Sequence, residues 1–128
     1  MELKKLVAIQ KEFDERHGWV PPAEDCELLV SFIVRDLVGL FGEVGEFANL
    51  VKKVQLCTGA ATEIELREQL PFLREELIDS FIYLMRFAAY LNIDLEAEYL
   101  RKLSLNEKRF QRFLVPESEQ SPNVHEST

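Results

Sequence analysis

Apolar side chains at Leu3, Leu6, Val7 and Phe13 fall on one face at helical spacing and predict a short first helix that ends near His17-Gly18. Trp19-Val20-Pro21-Pro22 interrupts the pattern. Proline cannot donate to a helical ladder and biases its predecessor toward extended geometry, so residues 18 to 25 are expected to connect two helices. From about Cys26 to Val54 the positions Leu29, Phe32, Ile33, Leu37, Leu40, Val44, Phe47 and Val51 recur every three or four residues, which predicts a long second helix. The stretch from Cys57 to Thr62 loses this period, and Thr62 ahead of Glu63 and Glu65 reads as the N-cap of a third helix. Pro71 is expected to kink or restart that helix, after which Leu73, Leu77, Ile78, Phe81, Ile82, Leu84, Met85 and Ala88 carry a stripe to about Leu91. Asn92-Ile93-Asp94 reads as a turn, with Asp94 capping a fourth helix through about Phe113. The pattern thus predicts an all-α fold, a four-helix bundle over residues 1–115, followed by a Ser-, Glu- and Pro-rich tail, 116–128, expected to be disordered.

Composition refines this. A chain of 128 residues suits one domain, and 47% apolar residues with nine Phe can supply a core. The second and third helices are apolar over more of their circumference than one amphipathic layer needs, so a homo-oligomeric bundle is expected. Cys26 and Cys57 form neither a C-x-x-C pair nor a zinc-like cluster, and no charged, apolar leader precedes them. We therefore expect a reduced, cytoplasmic protein in which both are small core residues. Apolar runs fall far short of the roughly 18 to 20 residues that span a bilayer, so no membrane partner is expected. A formal net charge of −8 argues against a nucleic acid polymer as partner, because phosphate neutralisation needs a basic face. A small anion held through a metal ion is compatible with it.

Four acids lie inside apolar helices rather than on charged rims: Glu43 and Glu46 on the second helix, Glu76 and Asp79 on the third. Residues three apart share a helical face, so two antiparallel helices can aim both pairs at one point. Carboxylates gathered in that way repel, and a hard divalent cation with oxygen ligands relieves the repulsion. Magnesium is the natural candidate, with manganese as a substitute, because it retains waters and is completed by substrate phosphates. Gly39, Gly42 and Gly45 recur every three residues beside these acids, each costing about 1 kcal/mol of helix propensity relative to Ala, which implies either close helix packing or space for a ligand. A di-iron bundle would need Glu-x-x-His pairs, and neither His17 nor His125 supplies one. On the fourth helix Lys102, Asn106 and Arg109 form one stripe, two cations and an amide suited to phosphate and base recognition.

The segments Gly42-Glu43-Val44-Gly45-Glu46-Phe47, Glu75-Glu76-Leu77-Ile78-Asp79 and Lys102 to Phe110 resemble, in order, the motifs of the all-alpha nucleoside triphosphate pyrophosphohydrolases. The likeness covers roughly Leu3 to Phe113, is nearest to the MazG-like proteins and their small dCTP pyrophosphatase branch, and extends to Glu12-Phe13-Asp14-Glu15-Arg16-His17-Gly18-Trp19. The resemblance implies a magnesium-dependent enzyme that cuts a nucleoside triphosphate between its alpha and beta phosphates, acting in nucleotide pool sanitation on a pyrimidine or modified deoxynucleotide. Carried over to this chain, Glu43, Glu46, Glu76 and Asp79 would hold metal, and Glu46 would also orient or deprotonate the attacking water. Lys102 and Arg109 would neutralise phosphate charge, Asn106 would contact the nucleotide, and Trp19 would stack on the base or wall it in. The resemblance also implies homodimers or homotetramers. Where the dCTP-cleaving members carry a second tryptophan this chain has Lys52-Lys53, and Gln10 stands where they carry a histidine in the first helix. The alternatives are a phosphoribosyl-ATP pyrophosphohydrolase-like enzyme, which shares the fold, and a non-catalytic helical interaction module.

Overall fold

The computed structural model describes residues 1–22 and 24–116. Among them four helices occur and no strand: α1 (Leu3–Arg16), α2 (Cys26–Gln55), α3 (Ala60–Leu91) and α4 (Leu95–Arg109), followed by a 3₁₀ turn, Gln111–Phe113. The expected tail lies, apart from Pro116, outside the described residues. Contacts gather the chain into two compact units, Met1–Leu95 and a second beginning at Glu96. In the first unit α1 and α2 both pack on α3. The second carries all but the first residue of α4 and the 3₁₀ turn.

The helix boundaries have local causes. α1 stops where Gly18 adopts φ +70°, a conformation open to glycine without a Cβ penalty. The Trp19 amide then donates to the Asp14 carbonyl at 2.9 Å, turning the chain back over the end of the helix. Asp25 caps α2 by accepting from the Leu28 amide at 3.0 Å.

Three expected boundaries differ. α3 begins at Ala60, capped by Gly59 at φ +60° with no side-chain cap, so Thr62 lies inside the first turn and its amide donates to the Gly59 carbonyl. Glycine's freedom at positive φ makes the reversal there, and the threonine hydroxyl is not needed for it. Pro71 neither ends nor restarts α3, which runs without interruption for 32 residues. One missing N–H forfeits a single ladder bond, a loss that packing against α2 along the rest of the helix outweighs. α4 ends at Arg109 rather than Phe113, its last turn tightening into the 3₁₀ segment.

The core of this chain is small. Among the described residues Leu73, Met85 and Ala88 are its buried apolar members, whereas Val38 and Phe41 on α2 are 71% and 70% exposed. The cysteines are not core residues: Cys26 is exposed at the start of α2, and Cys57 is half-buried just beyond its end, its thiol donating to the Lys53 carbonyl. Both flank the interhelical packing instead of entering it. No helix of the described residues is long and apolar enough to cross a membrane.

Candidate functional site

Glu43 on α2 and Glu76 and Asp79 on α3 converge, each offering a carboxylate oxygen within 4.8 Å of the others. Glu43 and Glu76 are half-buried and Asp79 is exposed. Glu76 Oε2 is buried without a hydrogen-bond partner, the only such side-chain atom among the described residues. The carboxyl of Glu76 is pushed above its ordinary value, first by the side-chain contact with Glu43, then by burial and by the charges of Glu43 and Asp79. Three oxygen donors that repel one another around an orphaned acceptor suit a hard divalent cation. Glu46, one turn further along α2, is exposed and lies outside this group of three. Of the four acids singled out in the sequence, the fold therefore brings three together.

A second polar centre joins α1, α2 and α3. Arg86 on α3 donates to both oxygens of Asp14 on α1, each at 3.0 Å, and Gln10 donates to the same carboxylate at 3.0 Å. Tyr90, one turn beyond Arg86, donates to Asp36 on α2 at 2.7 Å. Asp14 and Asp36 are 2% and 3% exposed. Burial works against the Arg86 charge, but its hydrogen bonds with Asp14 and the charges of Asp14 and Asp36 overcome that and hold the guanidinium above its ordinary value. Burial and then the bond with Asp36 push the Tyr90 phenol well above its ordinary range. Both carboxylates are thus acceptors with committed donors.

This centre floors a cleft of about 370 Å³ lined by Trp19, Arg35, Asp36, Tyr83 and Arg86. Trp19 is held by the turn after α1 and stacks on His17 with ring centroids 4.8 Å apart, the Arg86 guanidinium lying 5.7 Å from its ring. Tyr83 is admitted by Gly39: a Cβ at that position would collide with the Tyr83 ring and hydroxyl. The glycine strip therefore divides. Gly39 is a close-packing position, while a Cβ on Gly42 or Gly45 would meet nothing within 4 Å.

The cleft and the carboxylates share one face of the α2–α3 pair. Asp36 and Glu43 are seven residues apart on α2, and Glu76, Asp79, Tyr83, Arg86 and Tyr90 follow at intervals of three and four on α3. Seven residues advance a helix by about 10 Å, so an aromatic-walled cleft and an acidic cluster lie two turns apart on the same side. Asp79 also borders a shallow cavity of about 470 Å³ with Arg74, Glu75 and Ile78, which puts a cation near the acids.

Lys102, Asn106 and Arg109 lie on α4, in the second unit. Lys102 and Arg109 are exposed, the Arg109 guanidinium lying 5.1 Å from the Phe110 ring, and Asn106 is half-buried. The residues missed from sequence are Asp36, Tyr83 and Arg86. Asp36 and Arg86 each interrupt an apolar helix as the acids of the carboxylate cluster do, and that interruption is the signal that could have found them. Compared with protein-family models, with curated proteins and with solved structures, the chain has no match.

Proposed function

We propose that the chain is a magnesium-dependent nucleoside triphosphate pyrophosphohydrolase of MazG-like type, which converts a (d)NTP to the monophosphate and pyrophosphate in nucleotide pool sanitation. The observation that carries the reading is the convergence of Glu43, Glu76 and Asp79 from two helices around the unpartnered Glu76 Oε2. These residues, with Glu46 one turn away, would hold the ion. When bound, the ion would polarise phosphoryl oxygens and lower the pKa of a coordinated water. Glu46 is exposed and free to orient a water or accept its proton beside the cluster. Trp19 and Tyr83 wall the cleft two turns away, where the base of a nucleotide would lie with its phosphates reaching the acids. The roles of Lys102, Asn106 and Arg109 in phosphate and base contacts rest on the resemblance of their segment to that family's motif.

The test is release of pyrophosphate, as opposed to orthophosphate, from a panel of canonical and modified triphosphates with magnesium, beside Glu46→Gln. We expect pyrophosphate from a narrow set of deoxynucleotides, lowered by about 100-fold or more in the variant. No pyrophosphate from any member would overturn the reading and favour the interaction module.

Self-association belongs to the same reading. Val30, Val34, Val38 and Phe41 form an exposed strip on α2, each more than half exposed. At about 100° per residue this strip points away from the face that carries Asp36 and Glu43. An apolar strip of that length in water favours burial against a second copy. Light scattering on the eluted protein should give a dimer or tetramer; a single 14.9 kDa species would remove this part of the proposal.

A further inference from the structure

Asp36 has no role in the metal cluster, yet it is a nearly fully buried carboxylate that opens onto the aromatic cleft. Its two oxygens are unequally engaged. Oδ2 accepts from the Tyr90 hydroxyl at 2.7 Å, and Oδ1 accepts from Arg35 Nε at 3.2 Å and pairs with an Arg35 Nη at 3.2 Å. The two oxygens of a carboxylate offer about four acceptor positions between them, so the group retains accepting capacity. The Tyr90 proton is already spent on Asp36 and fixes the carboxylate in place. Arg86 also lines the cleft; its Nε and one Nη are committed to Asp14, and its other N–H groups are further donors. The cleft therefore offers an acceptor and a donor between the walls of Trp19 and Tyr83.

A flat ring that fits these groups carries an exocyclic amino donor beside a ring nitrogen acceptor. Cytosine, adenine and guanine have such an edge. Replacing the amino group by a keto oxygen, as in uracil, sets lone pairs against the carboxylate. Deleting it, as in hypoxanthine, leaves a buried acceptor unmatched. A buried polar group left without its partner is what gives a hydrogen-bonding site its discrimination.

We infer that Asp36 is a specificity-determining residue of the triphosphate site, accepting a hydrogen bond from an exocyclic amino group on the substrate base. This rests on the pyrophosphohydrolase reading and adds to it the class of base selected and the residue that selects it. Asp36 lies two helical turns from the Glu43, Glu76 and Asp79 group, so its substitution should alter choice of base more than the chemistry at the phosphates.

The experiment compares two near-isosteric pairs, dCTP with dUTP and dGTP with dITP, in the full chain with magnesium, before and after Asp36→Asn. Binding of the corresponding monophosphates, dCMP with dUMP and dGMP with dIMP, is measured by calorimetry in parallel. For whichever ring size is accepted, the amino-bearing member should be preferred by about 10-fold or more in kcat/KM and in affinity. Asp36→Asn, which can donate as well as accept, should bring that ratio close to one. Equal treatment of both members by the unmodified protein overturns the inference, as does a ratio unchanged in Asp36→Asn. Because Asp36 is buried, the variant can fail to fold; the ratios of the unmodified protein then decide alone. Failure to cleave any triphosphate, with amino-selective binding retained, would refute the hydrolase and leave Asp36 as the reader of the base. Absence of binding by any monophosphate and of cleavage of any triphosphate would overturn both.

Discussion

On the proposed function, magnesium should raise the Tm of the unmodified chain, and Glu76→Gln is expected to abolish that rise and to lower magnesium-dependent pyrophosphate release by about 100-fold or more. The same substitution should raise the Tm of the protein in chelator at neutral pH. Glu76 sits against Glu43 and Asp79 with one oxygen buried and unpartnered, so its charge is unfavourable unless a cation joins the group. The sign in pH follows from linkage. A carboxyl whose folded-state value is raised holds its proton more firmly when folded than when unfolded, so between its ordinary value of 4.5 and the raised one, stability falls as pH rises. Below that window the group is protonated in both states and carries no penalty; above it the penalty is complete. Magnesium should therefore stabilise the protein more at pH 7.5 than at pH 5, and Glu76→Gln should remove that difference. Equal magnesium responses in the two proteins, read by scanning calorimetry at both pH values, would show that the cluster does not hold the ion.

The meeting of Glu43, Glu76 and Asp79 was legible in the sequence because helical spacing is a local rule, although the same rule enrolled Glu46, which lies outside the group. Glu76 and Asp79 share a face whatever else the chain does, and the apolar residues around Glu43 mark it as inward-facing. The meeting of Glu43 with Glu76 and Asp79 needed only an antiparallel pair of long helices, which the two periodic stretches already supplied. What escaped was long-range. Arg86 reads as a cation on the flank of an apolar stripe, and nothing near it in sequence names Asp14, 72 residues away, as its partner. Asp36 was overlooked because its donors are the adjacent Arg35 and the distant Tyr90. Gly39 was visible as a gap in side-chain volume, yet only the structure shows that the Tyr83 ring occupies it, while Gly42 and Gly45 face open space. The start of α3 was misplaced for the opposite reason: Thr62 satisfies the local capping rule, but Gly59 at positive φ makes the turn three residues earlier.

Removing the Arg86 side chain, as in Arg86→Met, should cost about 3–5 kcal/mol of stability and lower Tm by roughly 10 °C or more. Asp14 is 2% exposed, and two of its three side-chain hydrogen bonds come from Arg86; Gln10 alone remains in the variant. A buried carboxylate that loses its cation must either keep an uncompensated charge or take up a proton, and both oppose folding at neutral pH. Asp36 loses the same charge from its surroundings, although Arg35 and Tyr90 still donate to it. The cost is therefore one of orphaning a partner, and a double variant exposes this. Asp14→Asn together with Arg86→Met leaves no orphaned charge at position 14 and should recover a large part of the lost stability, giving a coupling of several kcal/mol in a denaturant cycle. A single variant within 1 kcal/mol of the unmodified chain, or a double variant whose losses simply add, would show that Asp14 and Arg86 are not energetically paired. If they are paired, the consequence reaches the cleft: the same guanidinium that neutralises Asp14 borders the space between Trp19 and Tyr83, so the residue that ties α3 to α1 also holds the wall on which a base would rest.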